Sequence, residues 1–491
     1  MTTLVASAAV LAAFVATSPE PAPAPVTVAE IAGLWAGTLT HAGETESIAL
    51  ELEPGADGQV LIRLSVPLAH VDRAPIGRVA AQIDGREVRL GPFAFRYDRE
   101  AKALDGTAPR DIVPLYEIPL TLHRVERFDV PARPSIEAPP ATPVWTFDAG
   151  SPLWAGATYA DATVYGGGQD GRLHALDART GKERWSFRAG GPIRTRAAVS
   201  ESEVYFQADD GYLYRLAAAT GAERWRVRVV EKPIERLPFD DPKSRFDRFG
   251  SDVTVAGGRL YLGTHDGRLL AVDPARGDRI WEYGTGDSVL AAPAVEAGRV
   301  FFGSFDGWVY ALDAATGKLQ WKRDTRGAVV STPAVVGDRL IVGNRSYDLL
   351  GLDARTGEPA WTRYVWFSWV ESSAAAKDGV VYVGSSDAAV VQAFDARTGE
   401  RRWKTDVYGW AWGQPAVTGS RVYAGTASQK GYLAGHRGLV VAMDRATGRT
   451  VWYYAAEPAS SGSYGFPGSP AVGEGLVFAT GLDGRVYAFT Q

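Results

Sequence analysis

The chain contains 491 residues, with 52 basic and 57 acidic side chains, a formal net charge of −5 and 46% hydrophobic residues. This balance is that of an ordinary folded globular protein and argues against a basic nucleic-acid-binding surface. The sequence has no cysteine, which excludes disulfides, thiolate metal ligands, a cysteine nucleophile and covalently attached c-type haem. The 55 glycines, 15 tryptophans and 20 tyrosines point to many turns between short aromatic strands, as in a repetitive β protein.

Residues 1–27 are predicted to be an export leader followed by a Pro-rich linker. Residues 4–15 are small and apolar, and residues 1–19 carry no charged side chain. This stretch suits the core of a signal peptide and is too short to span a bilayer. A basic residue before it and a clear cleavage site are both missing, so a disordered leader is the alternative. No later apolar run is long enough to span a membrane, and we expect an exported, periplasmic or secreted monomer.

Residues 28–128 are predicted to form a small antiparallel β domain. About six segments, from GLWAGTLT to PLTLHRV, alternate apolar and polar residues between Asp-Gly turns at 57, 84 and 105. The opening Gly33-Leu34-Trp35 and the closing Pro119-Leu120 resemble the lipocalin-like domain of bacterial exported proteins. The resemblance implies a barrel in which Trp35 plugs one end and packs against Arg124. A filled barrel acting as an accessory module is favoured over an apolar ligand cup. A Pro-rich linker, residues 129–142, follows.

Residues 143–491 repeat one pattern eight times. Its first half is an apolar strand, an Asp-Gly turn and a second apolar strand, as in RVFFGSFDGWVYALD at 299–313. Its second half is a Thr-Gly turn and a Trp strand, as in AATGKLQW ending at Trp321. A period of about 40 residues is that of a four-stranded propeller blade. Eight first halves but seven second halves follow residue 162, so we predict that the strand around Trp145 completes the eighth blade and closes the ring.

The ALDAxTGxxxW and VYxGxxDG motifs resemble the PQQ-like propeller repeat. Quinoprotein alcohol dehydrogenases and the propeller lipoprotein of the outer-membrane barrel-assembly machinery share this repeat, and both have eight blades. The resemblance implies the fold far more specifically than the function. The quinoproteins hold pyrroloquinoline quinone (PQQ) on calcium, usually beneath a disulfide, and the lipoprotein carries an acylated N-terminal cysteine. Because this chain has no cysteine, we expect neither membership of that machinery nor a bound PQQ and calcium, and no other cofactor is predicted.

The best functional signal is a column of positions that breaks the repeat at one mouth of the channel. When the eight repeats are aligned, the residues at the start of each innermost strand fall at this mouth. If these positions only packed one blade on the next, they should be alike in all eight repeats, so charged or aromatic residues among them are unexpected. The candidate catalytic residues are Glu371 and Asp252. The candidate ligand-binding residues are Arg194, Arg196, Trp154, Trp369, Trp410, Trp412, Gln414 and Tyr464. The six histidines form no cluster typical of zinc, and no metal site is predicted.

These residues support two hypotheses. The first is a non-catalytic scaffold that binds a protein, glycan or small ligand at the mouth. The second is an enzyme, either a PQQ-type oxidoreductase or a cofactor-free lyase, hydrolase or isomerase, in which the arginines grip an anion and Glu371 acts as acid or base. The aromatic residues from Tyr364 to Trp369 and around Trp410 would then stack on a flat ligand. Alternatively, the rings only cap the channel and the charged residues form internal ion pairs.

Overall fold

The computed structural model describes residues 24–491 except 57, 110–116, 238–240, 242–249, 433 and 461. Apart from a short helix α1 (Val28–Ile31) and one 3-10 turn (Pro67–Ala69), the regular structure in these ranges is β-strand. The predicted signal segment lies outside them, as do 11 residues of the long connection at 226–250. The all-β prediction is confirmed.

The first domain is a closed antiparallel barrel of eight strands in sequential order. The strands are β1 (Gly33–His41), β2 (Glu44–Pro54), β3 (Gln59–Val66), β4 (Val71–Asp84), β5 (Glu87–Leu90), β6 (Phe93–Asp98), β7 (Ala103–Thr107) and β8 (Pro119–Arg124). The sequence predicted about six, because β4 contains Pro75 and Gly77 and its pairing with β3 shifts register. The turn predicted at Asp105-Gly106 is wrong. Both residues lie inside β7, where Gly106 pairs with Phe95.

Trp35 anchors one end of this barrel. The residue is fully buried, and its indole N–H donates to the Ile31 carbonyl at 2.8 Å. It pairs across the closing seam with Arg124, whose guanidinium carbon lies 5.7 Å from the ring centroid. The packing implied by the lipocalin-like resemblance is therefore confirmed.

Eight four-stranded antiparallel sheets follow. Blade 1 is β10 (Thr158–Ala160), β11 (Thr163–Gly167), β12 (Arg172–Asp177) and β13 (Glu183–Arg188). Blade 2 is β14 (Ala198–Ser200), β15 (Glu203–Gln207), β16 (Tyr212–Ala217) and β17 (Glu223–Arg228). Blade 3 is β18 (Thr254–Ala256), β19 (Arg259–Gly263), β20 (Arg268–Val272) and β21 (Arg279–Gly284). Blade 4 is β22 (Ala294–Glu296), β23 (Arg299–Gly303), β24 (Trp308–Asp313) and β25 (Leu319–Asp324).

The remaining blades repeat this plan. Blade 5 is β26 (Ala334–Val336), β27 (Arg339–Gly343), β28 (Asp348–Asp353) and β29 (Pro359–Tyr364). Blade 6 is β30 (Ala375–Lys377), β31 (Val380–Gly384), β32 (Val390–Asp395) and β33 (Arg401–Asp406). Blade 7 is β34 (Ala416–Val417), β35 (Arg421–Gly425), β37 (Leu439–Asp444) and β38 (Thr450–Ala455), with an inserted pair β36 (Ala427–Gln429) and β39 (Ser463–Gly465).

Blade 8 closes the ring as predicted. It consists of β40 (Ala471–Gly473), β41 (Leu476–Thr480), β42 (Arg485–Thr490) and β9 (Trp145–Asp148). In this sheet Trp145 pairs with Ala488. The outer strand therefore comes from the beginning of the propeller sequence and the other three from its end, so the ring is closed by backbone hydrogen bonds.

The repeated tryptophan joins each blade to the next. The Trp321 indole N–H in blade 4 donates to the Ala354 carbonyl of blade 5 at 3.2 Å. The same ring lies on Gly357, which has φ of +73°, and a Cβ added there would lie 2.6 Å from the ring. The Thr-Gly turn thus needs glycine both for its left-handed backbone and for contact with the preceding blade.

The Asp of the Asp-Gly turn has a structural role. Asp306 accepts hydrogen bonds from the Trp308 amide at 3.0 Å, the Gly286 amide at 2.9 Å and the Tyr310 hydroxyl at 2.6 Å. Asp210 and Tyr214 form the same pair in blade 2. These aspartates therefore cap their turns.

The barrel packs against the mouth face of blades 5 to 7. Tyr364, at the end of the outer strand of blade 5, and Trp366, just after it, join the buried apolar cluster of the barrel. The His41 ring lies 4.8 Å from the Tyr364 ring. The prediction that Tyr364 and Trp366 line the mouth with the other aromatics is therefore wrong, because these rings cover the barrel instead.

The linker is held against both domains. In the linker, Arg133 lies 3.3 Å from the Asp406 carboxylate of blade 6. The His70 ring of the barrel contacts the same carboxylate at 3.3 Å and the Pro131 carbonyl at 3.1 Å. Farther along, the Ala141 amide donates to the carbonyl of Tyr453 in blade 7. The barrel, linker and propeller thus form one connected unit.

Candidate functional site at the mouth of the propeller

The segments before the eight innermost strands converge on a cavity of about 110 Å³. Its wall contains residues from all eight blades, and in blades 2, 3, 5 and 6 two residues separated by one position face it, as Arg194 and Arg196 do. Middle residues such as Ser251 and Ser331 bond to backbone instead. The Ser251 hydroxyl donates to the Ala291 carbonyl at 2.9 Å, and that of Ser331 donates to the Gly343 carbonyl at 2.8 Å. The predicted column therefore divides into residues that face the channel and residues that bond to backbone carbonyls within a blade or between blades.

Seven of the ten predicted site residues line this cavity. They are Trp154, Arg194, Arg196, Asp252, Glu371, Trp412 and Gln414. Trp369, Trp410 and Tyr464 lie outside its lining. The Trp410 ring stacks behind Trp412 with centroids 4.8 Å apart. Trp369 lies under the Arg345 guanidinium, and the Tyr464 hydroxyl donates to the His436 carbonyl at 3.1 Å.

Arg194 belongs to a buried ionic cluster behind the cavity wall. Its Nε lies 3.3 Å from the Asp209 carboxylate, and the two side chains are 4% and 6% exposed. Arg236 binds the same carboxylate through two nitrogens at 2.8 and 2.9 Å. The Arg236 guanidinium also lies 3.1 Å from His265 Nε2. With the Gln169 amide turned so that its oxygen accepts, Trp154 and Arg194 donate to it at 2.7 and 3.2 Å. Arg194 is thus held rigidly by its neighbours.

The two candidate catalytic carboxylates are each bound by an arginine. Asp252 accepts from the backbone amide and the Nε of Arg196, both at 2.7 Å. Glu371 accepts from Arg345 Nε at 2.7 Å, and its side chain is 1% exposed. The Arg345 guanidinium lies between the Phe305 and Trp369 rings, 4.9 and 4.7 Å from their centroids. Both carboxylates are therefore in ion pairs within the propeller, as in the alternative in which the charged residues at the mouth have a structural role.

Trp154 and Trp412 form the aromatic part of the cavity wall. Both are less than 10% exposed and belong to one apolar cluster with Trp410. The Trp412 indole donates to the Ser386 hydroxyl at 3.2 Å, and that of Trp410 donates to Asp387 at 2.9 Å. Gln414 is held by Ser469 and by the Ala374 carbonyl. The wall is preorganised, because each of these polar groups has a partner within the propeller.

Sequence reasoning missed Asp209, Asp387 and Arg345. Arg345 is equivalent to Phe305 of blade 4, and Ser346-Tyr347 replaces the Asp-Gly turn that follows, so this departure from the repeat could have identified it. Asp209 precedes a regular Asp-Gly turn in blade 2 and carries no such signal. Among the described residues, no group of three or more His, Cys, Asp or Glu side chains could hold a metal ion. The described helix is also too short to cross a membrane.

The propeller sequence matches a known family along its whole length. The family described as "Outer membrane protein assembly factor BamB" matches residues 135–286, 210–369 and 365–491. The chain belongs to this family. The prediction of a PQQ-like repeat is thus confirmed, and the barrel of residues 33–124 lies outside the BamB match.

Solved structures show the same BamB-like fold. BamB from Moraxella catarrhalis superposes with a TM-score of 0.55 at 20% identity, over 72% of this chain and 100% of that one. Quinohemoprotein alcohol dehydrogenase from Comamonas testosteroni gives 0.53 at 15% identity, over 71% and 76%. Sqt1 from Saccharomyces cerevisiae gives 0.55 at 12% identity, over 72% and 99%. At these identities the likeness concerns the fold alone.

One curated relative shows a local sequence match. The quinohemoprotein alcohol dehydrogenase of Comamonas testosteroni is 35% identical over 118 residues, which are 22% of this chain. The match spans 15% of that enzyme's length. It therefore concerns a few repeats and leaves most of the enzyme unmatched.

Proposed function

We propose that this chain is an exported, non-catalytic scaffold whose mouth face binds a partner protein. The observation that carries this proposal is the internal pairing of the carboxylates at the mouth. A general acid or base must reach its substrate, whereas Glu371 is 1% exposed and bound to Arg345. Asp252 is bound to Arg196 by two hydrogen bonds. Both groups stabilise the rim of a rigid ring, as a recognition surface requires.

The size and donor set of the cavity support the same proposal. A volume of about 110 Å³ suits several water molecules or a small ion, and a tricyclic quinone is much larger. Calcium takes six to eight oxygen ligands, yet both carboxylates in the wall are bound by arginines. The residues of the mouth therefore do not fit PQQ held on calcium, and we derive no reaction step through it.

Site-specific photocrosslinking tests the scaffold function. A photoreactive amino acid at Asp287, which is exposed on the mouth face, should capture one defined protein from the source cell envelope. The same group at Asp338 is the matched control, because that side chain is 69% exposed in the turn between β26 and β27 on the opposite face. Equal crosslinking from both positions would refute recognition by the mouth.

Titration with PQQ and calcium tests the rival enzyme. We expect no saturable change in absorbance or heat for the purified full chain. Uptake of PQQ that is lost in Arg194→Ala and Glu371→Ala, together with dye-linked oxidation of alcohols, would replace the scaffold with a quinoprotein-type enzyme.

A further inference from the structure

A second cavity lies between the barrel and the propeller. Its volume is about 200 Å³. The barrel supplies one wall from the start of β2 and the 3-10 turn, and blade 6 with the preceding connection supplies the other. Ligand sites occur preferentially at such domain interfaces. The scaffold function proposed above makes no use of this cavity.

The two walls carry opposite charges. Glu44 and Glu46 lie on the barrel wall, and Arg401 and Lys404 lie on the propeller wall. Glu44 and Arg401 approach to 3.4 Å and pair. No ion pair in the described part of the chain joins Glu46 to Lys404, although both line the cavity. Burial raises the pKa of Glu46, and the charge of Lys404 opposes that effect. A cationic group in the cavity would stabilise the Glu46 carboxylate further.

The floor of the cavity is aromatic, and a buried donor without an acceptor in the described ranges lies beside it. Tyr364 and Trp366 line it with their rings 4.8 Å apart. Trp366 is 2% exposed, and its indole N–H has no acceptor among the described residues. A buried N–H without an acceptor is costly and calls for an explanation such as a ligand or a bound water. Gln392, which is 4% exposed, adds a polar amide to the same lining.

We propose that this cavity binds a small zwitterion of the α-amino acid class. The ammonium group lies at Glu46, the carboxylate lies at Lys404 and Arg401, and the apolar side chain packs on Trp366 and Tyr364. A phosphate or a dicarboxylate would meet the acidic wall, and a simple amine would leave Lys404 without a partner. A zwitterion satisfies both walls because it carries one charge of each sign. Its binding also stabilises the docked barrel, since both domains contribute to the site.

Calorimetry on the full chain tests the proposal. The probes are L-alanine, L-leucine and L-phenylalanine, each compared with its N-acetyl derivative and its methyl ester. We expect saturable binding of at least one free amino acid and at least tenfold weaker binding of both derivatives, because each lacks one charge. Glu46→Gln and Lys404→Gln should each weaken binding at least tenfold.

Matched variants control for the loss of charge alone. Lys322→Gln is the control for Lys404→Gln, because each lysine directly follows the tryptophan of its blade and Lys322 lies in blade 4, away from the barrel. Glu87→Gln, at an exposed position of β5, is the control for Glu46→Gln. If a cavity variant unfolds, Trp366→Phe is the alternative: it keeps an aromatic side chain but removes the indole N–H and one ring, and it should weaken binding of the amino acids. Absence of saturable binding by all three amino acids, or binding unchanged in both charge variants, would overturn the proposal. Neither result bears on crosslinking at the mouth.

Discussion

Gly357→Ala tests the packing of each tryptophan on the glycine of the next blade, with Gly337→Ala as its matched control. Both glycines have left-handed backbones, with φ of +73° and +62°. A Cβ at Gly357 would lie 2.6 to 3.0 Å from three atoms of the Trp321 ring, whereas a Cβ at Gly337 has no neighbour within 4 Å. The two variants therefore share the backbone strain and differ in the steric contact.

The expected free energies follow from these contacts. Left-handed strain costs about 1 to 2 kcal/mol for a residue with a Cβ, and the reduced entropy of the unfolded chain offsets about 0.4 to 1 kcal/mol of it. Gly337→Ala should therefore lower the free energy of unfolding by about 1 kcal/mol. Overpacking against a fixed ring adds about 1 to 3 kcal/mol, so Gly357→Ala should lower it by about 3 kcal/mol.

Urea denaturation followed by far-ultraviolet circular dichroism measures the difference between the two variants. Circular dichroism is preferred to fluorescence because Gly357→Ala directly perturbs Trp321. We expect the midpoint of Gly357→Ala to lie well below that of Gly337→Ala, and that of Gly337→Ala to lie slightly below that of the unmodified protein. Equal midpoints for the two variants would show that contact with the tryptophan ring does not require glycine at this position, and would refute the reasoning.

Three further predictions concern charge, titration and closure. Asp209→Asn leaves the buried Arg194 and Arg236 without their carboxylate and should cost about 3 to 5 kcal/mol in chemical denaturation; Asp378→Asn breaks a pair whose carboxylate is 66% exposed and should cost less than about 1 kcal/mol. Burial and the hydrogen bond to Asp210 raise the pKa of Tyr214 from 10.0 to about 12. Its contribution to stability is therefore complete below pH 10 and is lost as pH rises towards 12. Ultraviolet difference titration of Tyr214→Phe should lack one phenolate that forms near pH 12, and a missing phenolate near pH 10 would contradict this. Trp145→Ala removes the indole bond to the Ala178 carbonyl and should speed amide exchange in β42, whereas Trp281→Ala should leave β42 protected.

The propeller could be predicted from the sequence because each blade repeats the same local signals. Thr-Gly and Asp-Gly turns require particular backbone angles, and the alternating apolar residues require two buried faces. Counting the half-repeats was enough to identify Trp145 as part of the closing strand. The eight strands of the barrel were harder to predict, because a single copy offers no comparison. There, Asp105-Gly106 resembles a turn but lies within a strand.

The candidate site could be predicted only in part. Aligning the repeat identifies which residues reach the channel, since equivalent positions occupy equivalent places. It does not identify their partners, which depend on contacts between different blades. The pairing of Glu371 with Arg345 joins a residue of blade 6 to one of blade 5. The destination of Tyr364 and Trp366 depends on where the barrel docks, and the propeller repeat contains no information about that contact.

Ring closure has a consequence for the order of events during synthesis. Trp145 pairs with Ala488, so the outer strand of blade 8 leaves the ribosome about 340 residues before its partner. Until then its backbone donors and acceptors are exposed to water and to other strands. The eight-stranded barrel is complete earlier in the chain and can form while the blades are still being made. The last few dozen residues therefore decide whether a nascent chain becomes a closed ring, and a ribosome stalled before β42 would hold a chain with an unpaired strand.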